Sequence, residues 1–177
     1  MLYCILLDYL NKEKTTDNFA LASEVSLYRG IQLFNETKLQ VALSYFTKSK
    51  QSLDKKINTK GGYWEAETLY RLKNYKEAIS KFKSVKKKLK TNIKEFSLID
   101  YHIGYCHFKL KEYNKAITAF KKLLKVNLTP NEVQDDVFIR LGDSYFATRN
   151  YGEAIKSYQT VVTNLGSGAD YAQYQIW

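Results

Sequence analysis

The side chains in this sequence with chemistry to offer are few: two histidines, two cysteines, and a surplus of lysines and tyrosines. His102 and Cys106 are four apart, so on a helix they share a face and could share an ion, with His107 beside them. A zinc centre needs three or four ligands, and no carboxylate falls at a spacing that would complete one. The reading for Cys106 and His107 is therefore packed side chains facing a helical core, with no metal and no cofactor. There is no nucleophile elbow and no phosphate-binding glycine loop, and Gly166, Ser167 and Gly168 read as a connecting turn. With no acid, base and nucleophile in a workable arrangement, the chain reads as non-enzymatic.

Charge points to binding. The net charge is +10, and nine lysines fall between Lys73 and Lys94. Within that run Lys83, Lys86, Lys87 and Lys90 form a stripe that could hold a polyanion, either nucleic acid or an anionic membrane surface. It contains no arginine to fork a phosphate, and the aromatic residues among these lysines fall on the inward stripe, so a solvated outer face is the competing reading.

The elements that must position these groups repeat. Tyr75, Ala78, Ile79 and Phe82 return 38 residues later as Tyr113, Ala116, Ile117 and Phe120, and again as Tyr151, Ala154, Ile155 and Tyr158. Ala42, Leu43 and Phe46 are a fainter earlier copy. A period of this length marks stacked units, each too small to bury its own apolar face. Each unit resolves into two helical stripes separated by a short polar turn such as Lys109 to Glu112, which forces the helices antiparallel. Gly104 and Gly142, with Gly30 and Ala66 at equivalent places, sit mid-helix where glycine costs about 1 kcal/mol relative to alanine. The cost implies a bulky neighbour close to the backbone, and Phe82, Phe120 and Tyr158 are the candidates.

First helices of such hairpins line a concave groove, the expected place for a partner segment, and the aromatic at the end of each stripe (Phe34, Tyr70, Phe108, Phe146) recurs as architecture. The members that vary, Tyr63, Trp64, Glu67, Tyr101, Tyr105, Arg140 and Asp143, are the candidates for partner contact, since tyrosine and tryptophan supply rigid area with a polar tip. Burial in the core is the equal alternative for them. The expected function is a protein-interaction scaffold that holds an extended or helical segment of a protein or peptide partner.

Ile103 to Phe120 and Leu141 to Tyr158, in which a small residue, an aromatic or His, then Tyr, Ala and a final aromatic recur in register, resemble the tetratricopeptide repeat. Glu65 to Phe82 and Arg29 to Phe46 follow the pattern with Ala66 and Leu39 as departures. The resemblance implies an all-α fold, an α-solenoid of stacked antiparallel helix pairs in a right-handed superhelix. Some grooves of that family clamp a terminal carboxylate with lysine, asparagine and arginine. Here Leu27, Ile31, Tyr63, Glu67, Tyr101 and Tyr105 stand on that stripe, so chaperone-tail capture is not implied.

The expected organisation is a helix and loop over 1–19, repeats over 20–58, 59–96, 97–134 and 135–169, and the start of a fifth unit over 170–177. Longer loops are expected over Lys90 to Phe96 and Asn127 to Asp135. The ends read as cut from a longer protein, with Tyr171, Tyr174, Ile176 and Trp177 as a cluster through which the chain could self-associate. Long bacterial cell-envelope tetratricopeptide proteins are similar, which implies a periplasmic or envelope location, with the cytoplasm as the alternative. A mean hydropathy of -0.43 and the absence of any apolar run of about 20 residues argue against a membrane span. A disulfide between Cys4 and Cys106 is not expected.

Overall fold

The computed structural model describes residues 6, 9, 10, 15–89, 96–125 and 131–177. Lys90, Lys94, Cys4 and, of the two expected long loops, residues 90–95 and 127–130 lie outside the described residues; Asn131 to Asp135, expected as loop, instead open a helix. The described chain contains nine helices and no strand, in two compact units, Met1–Lys90 and Thr91–Trp177. The first unit holds α1 (Thr16–Asn35), α2 (Leu39–Ser49), α3 (Lys55–Arg71) and α4 (Tyr75–Lys88). The second holds α5 (Ile99–Lys109), α6 (Tyr113–Leu123), α7 (Asn131–Ala147), α8 (Tyr151–Thr163) and α9 (Ala169–Ile176). The expected all-α architecture of paired helices is what is found.

The period is visible in the turns. α4, α6 and α8 begin at Tyr75, Tyr113 and Tyr151, the repeated tyrosines themselves. Two residues before each second helix the backbone turns left-handed, at Thr37 (φ 60), Lys73 (φ 63), Lys111 (φ 59) and Arg149 (φ 61). The next amide reaches back five residues, from Lys38 to Leu33 O, Asn74 to Leu69 O, Glu112 to His107 O and Asn150 to Tyr145 O, at 2.8–2.9 Å. These bonds satisfy carbonyls that the ending helix would leave orphaned. None of the four positions is glycine, so each turn carries a local strain that the packed hairpin overrides.

Packing follows the small-residue logic. A Cβ added at Gly30 would lie 2.6 Å from the Phe46 ring, at Gly104 2.5 Å from Phe120, and at Gly142 2.4 Å from Tyr158. No real Cβ tolerates such distances, so glycine is required for the aromatic ring to lie on the helix backbone. Ala78, Ala116 and Ala154 are buried on the facing helices, and Phe46, Phe82, Phe120 and Tyr158 are buried beneath them. Each such aromatic contributes roughly 1.5–3 kcal/mol on removal from water. In the second unit Ala116, Phe120, Leu123, Val137, Leu141, Ala154, Tyr158 and Val161 form one core, which Ala172 of α9 extends.

Candidate partner-binding face

In the second unit, α5, α7, α8 and α9 bring tyrosines, two aspartates and one arginine into a single hydrogen-bonded cluster. Tyr101 and Tyr105 are one turn apart on α5, with rings 4.9 Å between centroids. Both hydroxyls donate to Asp136 on α7, Tyr101 at 3.1 Å and Tyr105 at 2.8 and 2.9 Å to the two carboxylate oxygens. Arg140, one turn further along α7, donates from Nε to the Tyr105 hydroxyl at 2.9 Å and from Nη1 to Asp143 Oδ2 at 2.8 Å. The other Asp143 oxygen accepts from Tyr158 of α8 at 2.8 Å and Tyr171 of α9 at 2.9 Å. Two carboxylates are thus each capped by two tyrosine hydroxyls, with a guanidinium between them.

The electrostatics keep the cluster's tyrosines and its arginine protonated. Burial pushes the Tyr101 and Tyr158 hydroxyls far above their ordinary value, reinforced by Tyr105 and Asp136 at the first and by Asp143 at the second. Tyr105 is raised by burial too, against the opposing hydrogen bond from Arg140. Tyr171 is pushed up to about 12, by burial first and then by its bond to Asp143. Burial works against the charge on Arg140, but Tyr105 and the two aspartates outweigh it and its proton is held more firmly than usual. All four tyrosines therefore remain donors at neutral pH, and none is available as a base or nucleophile. The arrangement is suited to recognition: fixed donors and acceptors beside aromatic faces, with the guanidinium 5.7 Å from the centroids of both Tyr105 and Phe108.

The cluster lies partly open. The Arg140 and Asp136 side chains are 30% and 28% exposed and Asp143 13%. Tyr171, which closes the network on Asp143, is itself exposed. Of the residues expected to vary for contact, Tyr101, Tyr105, Arg140 and Asp143 are brought together here. Asp136, Tyr158 and Tyr171 complete the network and were missed as site residues. Asp136 stands four residues before Arg140 on one helix face, a spacing that could have found it. Tyr158 differs from Phe82 and Phe120 by one hydroxyl, and that hydroxyl is the one on Asp143.

Tyr63, Trp64 and Glu67 belong to the first unit and form a group of their own on α3. Trp64 stacks on Phe46 at 6.1 Å and meets Phe34 edge-on at 5.2 Å, and Tyr63 meets Phe82 edge-on at 5.9 Å. Glu67 is buried, with Arg71 Nε 4.0 Å from its carboxylate. Burial raises its carboxyl to about 7, against the pull of Arg71. Nearby, Glu65 is held between Lys50 and Lys81, the latter at 3.0 Å. On α4, Lys83 and Lys87 are exposed and Lys86 is half-buried, while Lys90 lies outside the described residues.

His107 is buried and its Nδ1 lies 2.6 Å from Glu112 Oε2 across the α5–α6 turn, and Cys106 is fully buried. Among the described residues no group of three or more histidines, cysteines and carboxylates is placed to hold a metal ion, and no helix is long and apolar enough to cross a membrane. Gly166 to Gly168 form the turn into α9, where Gly168 has φ 85 and the Ser167 amide donates to Asp135 at 3.0 Å.

The family model described as "Anaphase-promoting complex, cyclosome, subunit 3" matches residues 35–123, half of the chain, and a tetratricopeptide repeat model matches residues 135–163. The solved structure of MamA from Desulfovibrio magneticus RS-1 superposes with a TM-score of 0.69 at 17% identity, covering 80% of this chain and 74% of that one. MamA of AMB-1 superposes with a TM-score of 0.64 at 21% identity, covering 89% and 85%. At such identities the likeness shows the fold, an all-α helical-repeat solenoid. No curated protein matches the sequence.

Proposed function

We propose that this chain, which belongs to the tetratricopeptide-repeat family and matches over half its length the model for subunit 3 of the anaphase-promoting complex, is a non-enzymatic scaffold that binds a peptide segment of a protein partner. Repeats of this type are generally protein-interaction modules, and the matched description is that of a subunit of a multiprotein complex. The observation that carries the specific reading is the preorganised cluster of Tyr101, Tyr105, Asp136, Arg140 and Asp143. Its hydrogen bonds are made before any partner arrives, so little ordering cost remains for binding. Aromatic rings beside fixed polar groups are the composition of binding hot spots.

Selection of displayed random 12-residue peptides on the immobilised chain tests this. Peptides recovered on the wild type should lose more than about 30-fold in affinity on Tyr101→Ala/Tyr105→Ala, corresponding to about 2 kcal/mol. Retained affinity would move the site elsewhere. The second reading, polyanion binding through Lys83, Lys86, Lys87 and Lys90, is favoured by the exposure of Lys83 and Lys87 on α4. It requires affinity for a nucleic acid that survives about 0.2 M salt, where the screening length is shorter than roughly 8 Å. It also requires that affinity to vanish when these lysines become glutamate.

A further inference from the structure

The second unit divides its charge by face. On the side of the cluster α7 presents Asp136 and Asp143 against a single base, Arg140, and α9 carries Asp170. α6, on the other side of the hairpin, carries Lys115, Lys121 and Lys122 and no acid. In a chain of net charge +10, a face with this sign is a local reversal. Asp136 and Asp143 lie on that face at the centre of the tyrosine cluster, and Arg140, 3.5 Å from the first and 2.8 Å from the second, offsets one of their two negative charges.

We infer that the segment this face takes is basic: a peptide in the polyproline II conformation with lysine or arginine side chains three residues apart, one cation at Asp136 and the next at Asp143. This deepens the scaffold reading above and rests on it. The spacing comes from α7. Seven residues separate the two aspartates, about 10 Å along a helix, and three residues of polyproline II chain, one full turn that brings the side chain back to the same side, cover about 9 Å at roughly 3.1 Å each. The stems of those side chains would lie on the rings of Tyr101, Tyr105 and Phe108. These rings already hold the Arg140 guanidinium at 5.7 Å from two of them, so their faces suit a cation. An acidic segment meets the opposite situation. Arg140 is the face's one guanidinium, and it is engaged by Tyr105 and Asp143 and flanked by Asp136 at 3.5 Å.

Selection of random 12-residue displayed peptides on the full chain, in parallel with Asp136→Asn, tests the inference. Asparagine keeps the shape and can still accept the tyrosine hydroxyls, and Asp136 is the more exposed of the two carboxylates. Because the whole protein is strongly basic, nonspecific attraction would enrich acidic peptides, so the expected enrichment of lysine and arginine three apart has to come from this face. A synthesised wild-type binder should lose about tenfold or more on Asp136→Asn and weaken steeply between 50 mM and 0.5 M salt. Binders that need Tyr101 and Tyr105 but are neutral or acidic, or that are indifferent to Asp136→Asn, would overturn the basic-peptide inference and leave the scaffold reading intact. Binders indifferent to Tyr101 and Tyr105, or no binders at all, would overturn both. Should the variant fail to fold, the charge of the wild-type binders alone decides.

Discussion

Glu67 gives the sharpest test of how this fold handles a buried charge. The residue is 8% exposed on α3, and its carboxyl has Arg71 at 4.0 Å as its ion-pair partner. Burial outweighs that partner and raises the carboxyl from its ordinary 4.5 to about 7. In the folded chain the group therefore holds its proton more tightly than in the unfolded chain, and a raised carboxyl subtracts stability once it must ionise. The contribution is fully present below about pH 4.5 and is lost as pH rises through about 7. At about 1.4 kcal/mol per tenfold in proton affinity, the whole loss is about 3 kcal/mol. Glu67→Gln removes the titration and keeps the shape. In urea unfolding between pH 4 and 8, the variant and wild type should be close at the acid end. The variant should become more stable by up to about 3 kcal/mol above pH 7. A difference that is flat with pH, or a wild type that gains on the variant as pH rises, would mean that Arg71 wins over burial and would refute the reasoning.

Two further substitutions test the packing and the cluster by thermal and urea melts. Ala116→Leu puts a branched side chain at a fully buried position and should cost about 1–3 kcal/mol by overpacking; an undisturbed melt would contradict the packing described. Tyr158→Phe keeps the ring over Gly142 and removes one of the two hydroxyls on Asp143 Oδ1. A loss of about 1.5–3 kcal/mol is expected, the range for a hydrogen bond to a charged group, and a neutral result would remove Tyr158 from the network.

Much of this architecture is legible in the residues because steric requirements repeat with the period. The tyrosines at 75, 113 and 151 open second helices, and the Gly104–Phe120 and Gly142–Tyr158 pairs meet where a glycine opposite an aromatic at a fixed offset says they should. The left-handed turns were not legible, because Thr37, Lys73, Lys111 and Arg149 carry no glycine signal. Their conformation is imposed by the pairing of the helices on either side. The cluster was half legible. Tyr101, Tyr105, Arg140 and Asp143 stand out as departures from the repeat; Asp136 shares their helix face, four residues before Arg140, but that it joins Tyr101 and Tyr105 comes only from the packing of α5 against α7. Trp64 shows the limit of the reasoning, since a stripe position says nothing of whether a large ring turns outward or, as here, packs against Phe34 and Phe46.

The central claim, that a peptide partner lies on the tyrosine–aspartate–arginine face of the second unit, is tested most directly by amide chemical-shift mapping of the labelled chain titrated with a selected 12-residue peptide. The account predicts that the perturbed amides concentrate in α5, α7 and α9, around Tyr101, Tyr105, Asp136, Arg140 and Asp143. Shifts confined to α6 and α8, or to the lysines of α4 at Lys83, Lys86 and Lys87, would contradict it.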